Sequence, residues 1–119
     1  MTLLVPFARL GAVVVAGIVV VLSLLPIDRA MGSGYSDKLD HFAAYAALGA
    51  LATLGWGARS GIWPLVAACM ALGGALELLQ NFSPGRVASF ADMAANASGA
   101  LAGAAGGWAL LRWRQPDVR

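Results

Sequence analysis

Apolar residues fill four long stretches of the chain, at about 5–25, 41–57, 62–81 and 90–112, and the polar residues collect between them or at their edges. A bilayer core about 30 Å thick takes roughly 20 residues of helix to cross, so the pattern predicts four transmembrane helices. Backbone amides inside lipid have no water to pair with, which makes helices the expected element throughout. The expected fold is therefore all-α: a polytopic membrane protein with a single domain over residues 1–119. A cleaved signal peptide is the competing reading of the first stretch. Its length, and the lack of a small-x-small cleavage site after Pro26, argue against that reading.

Composition points the same way. The 119 residues are 60% hydrophobic and 12% charged, with a mean hydropathy of +0.75, whereas a soluble domain carries about 25% charged residues. The fifteen glycines lie mainly within the apolar stretches, where small residues let helices approach closely. Gly99, Gly103 and Gly107 recur every four residues, and Ala95 extends the stripe. This marks a packing face, expected to meet a helix of the same chain, with a homo-oligomer through the same glycines as the alternative. The net charge of +2 comes without a basic block interleaved with aromatics, so nucleic acid is not an expected partner. Cys69 is the only cysteine, which excludes an intrachain disulfide and a cysteine zinc cage. No metal or other cofactor is expected.

Charge also orients the helices. Arg9, Arg59, Arg112, Arg114 and Arg119 flank the stretches on one side, while Arg29, Lys38 and Arg86 lie on the other among Asp28, Asp37 and Asp40. The excess of positive charge favours both termini in the cytoplasm. Trp56, Trp63, Trp108 and Trp113 fall at the same ends as the larger basic group, where amphipathic rings settle at headgroup level. The expected location is the bacterial cytoplasmic membrane, crossed several times, with membrane lipids as the immediate partners.

The residues that break the apolar rule are not scattered. Asp37, His41 and Tyr45 are spaced four apart at the start of the second stretch, Glu77 and Gln80 three apart at the end of the third, and Asp92 and Asn96 four apart at the start of the fourth. Each set shares one helix face. In an alternating topology all three sets reach the outer membrane level, and Arg86 lies close to them by connectivity. An ionisable group inside a span costs roughly 2.5 to 3.5 kcal/mol unless it is paired or hydrated. An outward-facing polar site is therefore expected from His41, Tyr45, Glu77, Gln80, Arg86, Asp92 and Asn96. The alternative is a structural network, with Asp37, Ser89 or Asp92 capping helices and Arg86 neutralising Glu77 or Asp92.

A resemblance covers most of the chain. The first stretch ends in Leu22-Ser23-Leu24-Leu25-Pro26, followed by Asp37-Lys38-Leu39-Asp40-His41-Phe42-Ala43-Ala44-Tyr45 and by Glu77-Leu78-Leu79-Gln80. Pro84-Gly85-Arg86, Ser89, Asp92, Asn96 and Gly99 then come in order. This ordered set resembles the VanZ-like family of small bacterial membrane proteins. The resemblance implies a protein of the cell envelope. It also suggests a link to teicoplanin-type glycopeptides, since the family is named after a protein associated with teicoplanin resistance.

Three classes of function are compatible with the polar residues. In a binding or accessory protein, Arg86 and Lys38 would hold an anionic headgroup or lipid-linked envelope precursor, with Asp37, Tyr45, Gln80 and Asn96 completing the ligand site. In an intramembrane hydrolase or transferase, His41 would act as general base, with Glu77 or Asp92 orienting it or serving as acid, and Arg86 stabilising developing negative charge. Transport or proton relay is disfavoured, because no polar path continues through the cytoplasmic half of the chain.

Overall fold

The computed structural model describes residues 3–25, 34–82 and 89–115, with the backbone alone for 34–37. It contains four helices: α1 Leu4–Leu24, α2 Gly34–Ser60, α3 Trp63–Gln80 and α4 Phe90–Arg114. No strand occurs among the described residues. At 1.5 Å per residue the helices are about 32, 40, 27 and 38 Å long.

Helix α2 starts earlier than the apolar stretch that predicts it. It begins at Gly34, so Asp37, Lys38 and Asp40 already lie on the helix ahead of His41. Hydrophobicity reports where burial starts, whereas a helix, once nucleated, propagates through polar residues as well. The α2–α3 connection is only two residues long. Gly61 takes a left-handed conformation with φ 73°, which ends α2 at little steric cost, and Pro64 stands in the first turn of α3, where its missing N–H is not needed.

Around the bundle the helices follow the order α1, α2, α4, α3, with α2 and α3 also touching across the short diagonal and α1 and α4 apart. The cross-section of 22 by 22 Å is two helix diameters each way. Neighbours in sequence run antiparallel. Arg9 and Gly11 of α1 meet Gly55 and Leu51 of α2, and Gly73 of α3 meets Tyr45 of α2 and Asn96 of α4.

The most extensive contact is between α2 and α4, which run parallel. A Cβ at Gly99 or Gly103 would collide with the carbonyl oxygen of Phe42 or Ala46, and one at Gly107 would lie 2.9 Å from that of Ala50. The glycine stripe is thus filled by α2 of the same chain, and the two backbones touch directly. By length and composition α1 and α3 are apolar enough to cross a membrane. Helices α2 and α4 have traded large apolar side chains for the glycine, alanine and threonine of their shared seam, which lowers their hydropathy where their packing is closest.

Large apolar side chains point outward along much of the bundle. Phe7, Leu10, Val13, Val14, Ile18, Val21 and Leu22 are exposed on α1, as are Leu78 and Leu79 on α3 and Leu101 on α4. A contiguous apolar exterior of this kind marks contact with something other than water.

Candidate functional site

The C-terminal ends of α1 and α3 and the N-terminal ends of α2 and α4 share one end of the bundle. Within α3, Gly73, Glu77 and Gln80 follow the i, i+4, i+7 spacing of a single stripe, and this stripe faces inward: Glu77 is 2% exposed and Gln80 5%. At Gly73 the missing side chain leaves room for two polar groups. A Cβ there would lie 3.1 Å from the Asn96 amide nitrogen and 3.2 Å from the Tyr45 hydroxyl. Tyr45 and Asn96 are themselves 3% and 4% exposed.

Asn96 links this interior to the half-buried His41. Its Oδ1 lies 2.9 Å from Nδ1 of His41. An amide oxygen only accepts, so with this orientation of the carboxamide the imidazole donates from Nδ1–H.

The other polar residues hold helix ends. The Ser89 backbone N–H donates to Glu77 Oε2 at 3.3 Å, and Ser89, the N-cap of α4, accepts from the Asp92 N–H at 3.4 Å. The carboxylates of Glu77 and Asp92 thus both sit near the positive end of α4, where negative charge is stabilised. Gln80 donates from Nε2 to the Ser23 carbonyl at 3.1 Å, satisfying one of the last carbonyls of α1, which have no partner within the helix.

Tyr45 and Asn96 therefore meet α3 at Gly73, with Glu77 one turn along the same stripe, His41 hydrogen-bonded to Asn96, and Asp92 and Gln80 at the adjoining helix ends. Lys38 is exposed on α2, one turn before His41. Asp37 lies in the first turn of α2, where its backbone alone is described, and Arg86 lies outside the described residues. No group of three histidine, cysteine or carboxylate side chains arranged to hold a metal occurs among the described residues.

Two features escaped the residue pattern. Gly73 is one of many glycines in the sequence, and only its neighbours distinguish it. The second feature lies at the opposite end, where Arg9 donates from Nε to the Gly55 carbonyl at 2.9 Å and stacks 5.4 Å from the ring centroid of Trp56. An arginine near the start of an apolar stretch signals snorkelling, and spacing alone carries no information about a partner 46 residues away.

Residues 1–112 match the family model described as VanZ/LLP1. No curated protein and no solved structure matches the chain.

Proposed function

The chain belongs to the VanZ/LLP1 family, and on that premise we propose that it is a four-span protein of the bacterial cytoplasmic membrane that binds an anionic lipid or lipid-linked envelope precursor at its polar end. The helix lengths of about 27 to 40 Å suit a hydrocarbon core of about 30 Å, and the apolar exterior suits lipid. With Arg9, Arg59, Arg112 and Arg114 at one end of the bundle, the positive-inside tendency puts both termini in the cytoplasm and the polar end outside.

The observation that carries the reading is that Tyr45 and Asn96 meet at Gly73, with Glu77 one turn along the same stripe of α3 and His41 hydrogen-bonded to Asn96. Helix capping accounts for Ser89, Asp92 and Gln80 and for one oxygen of Glu77, but it does not call for an imidazole hydrogen-bonded to a buried amide. Lys38 and Arg86 supply the positive charge that an anionic headgroup needs, arginine through its planar fork. A part in the response to teicoplanin-type glycopeptides is the physiological extension of this reading, because such drugs act on the envelope.

A catalytic reading has one specific observation in its favour: the hydrogen bond between His41 Nδ1 and Asn96 Oδ1, which fixes the orientation of the imidazole. That is the arrangement of a general base whose orientation is fixed by a second group. An intramembrane hydrolase or transferase acting on the same lipid-linked ligand would use it, with Glu77 or Asp92 as the acid.

Mass spectrometry of molecules that co-purify from native membranes tests both readings. A defined lipid or precursor enriched with the wild type and lost with equally folded Arg86→Ala and Glu77→Gln supports the binding site, and its turnover by wild type but not His41→Ala supports catalysis. Identical profiles for the wild type, Arg86→Ala and Glu77→Gln would reduce the cluster to a structural network.

A further inference from the structure

The end of the bundle opposite the polar cluster carries a second arrangement that the proposed ligand site does not use. Arg9 lies on α1 at the seam with α2 and is half-buried. Its Nε–H donates to the Gly55 carbonyl, and its guanidinium carbon lies over the Trp56 ring, 5.4 Å from the centroid. These contacts fix the plane of the group, while the two terminal nitrogens have no protein partner among the described residues. An arginine held in this way presents the planar pair of N–H donors that matches a phosphate.

Among the described side chains no carboxylate shares this end: Asp40, Glu77 and Asp92 all belong to the opposite end, and Asp117 lies outside the described residues. Helices α1 and α3 both start at the Arg9 end, and each does so without a side-chain cap or an acidic residue in its first turn. Their first N–H groups therefore lack a capping side chain and can donate to an anion, although the negative ends of the α2 and α4 dipoles finish at the same level. Helix α2 adds Arg59 one turn beyond Gly55 on the same face.

We propose that the Arg9 guanidinium, oriented by Gly55 and Trp56, binds the headgroup phosphate of an anionic phospholipid in the adjacent leaflet. The inference rests on the reading that the helices span a membrane, with this end at the negatively charged cytoplasmic surface. It does not depend on the ligand or chemistry of the polar end. The bound lipid would neutralise a charge that is otherwise costly within a span, while its acyl chains lie against the exposed apolar face of α1.

The test uses the full chain in nanodiscs of phosphatidylcholine doped with phosphatidylglycerol, with native mass spectrometry counting the phosphatidylglycerol retained. Retention should fall about tenfold in Arg9→Gln, the loss expected for one charge-assisted contact, and should be unchanged in Arg114→Gln, which removes an exposed arginine at the same end. An equal fall in both variants would mean diffuse attraction and overturn the site. Should Arg9→Gln fail to fold, Arg9→Lys carries the test, because lysine snorkels as well but has no fork; wild-type retention by that variant overturns the proposal. Displacement of the lipid by millimolar inorganic phosphate would overturn the assignment to a lipid. A wild-type chain that stays dispersed in buffer with neither lipid nor detergent would refute the membrane reading itself, an outcome distinct from loss of the Arg9 site.

Discussion

Nδ1 of His41 on α2 donates to Oδ1 of Asn96 on α4 across 2.9 Å, and this side-chain contact joins two helices whose backbones touch one turn further along. Interhelical hydrogen bonds of this kind in membrane proteins couple by about 0.6 kcal/mol on average and up to about 1.7. A double-mutant cycle with His41→Ala and Asn96→Ala, followed by unfolding in detergent, should return a coupling in that range. Strict additivity would remove the pair.

The α2–α4 seam should tolerate no side chain at its tightest point. Gly103→Ala drives a methyl group into the Ala46 carbonyl, and backbone cannot rotate aside as a side chain can. The expected loss is about 1 to 3 kcal/mol, in the range of overpacked cores. Gly106→Ala, three residues on and facing open space, should instead be neutral or stabilise by up to about 1 kcal/mol through better helix propensity. Equal unfolding midpoints for the two variants would contradict the close approach.

Glu77 has two separable properties: an oxygen that accepts from the Ser89 N–H, and a charge. Glu77→Gln keeps an acceptor and should stay within about 1 kcal/mol of wild type, whereas Glu77→Leu leaves the N–H without its acceptor and should cost about 1 to 3 kcal/mol. If Glu77 belongs to a ligand site, Glu77→Gln should lose the co-purifying ligand while remaining folded. A ligand retained by Glu77→Gln and lost only with folding in Glu77→Leu would assign the residue to capping alone.

Topology can be read with cysteines, because the native Cys69 is buried in α3. In a Cys69→Ala background, Asn81→Cys at the end of α3 should react with an impermeant maleimide in intact cells. Ser60→Cys, at the end of α2, should react only after the membrane is opened. The reverse pattern would invert the orientation, and labelling of both in intact cells would contradict a spanning bundle.

Much of this architecture was legible from residue spacing. Periodicity and length placed all four helices, because apolar side chains must lie where helices meet each other or a non-aqueous surround. The α2 boundary alone moved appreciably, since Gly34 to Asp40 are helical yet polar. The grouping of His41, Tyr45, Glu77, Gln80, Asp92 and Asn96 at one end followed from alternating direction, a consequence of chain connectivity. So did the family, since its ordered motifs are local.

Tertiary structure decided which groups meet within that end. That Asn96 turns its oxygen to His41, that Gly73 makes room for Tyr45 and Asn96, that Gln80 serves Ser23, and that Arg9 rests on Gly55 and Trp56 all depend on the rotation of each helix about its axis and on its height against its neighbours. Spacing along one helix defines a face but not the partner of that face. The partner is selected by backbone contact at Gly99 and Gly103, where a glycine reads in sequence like any other small residue and acts in the fold as the point that sets the register of α4 against α2.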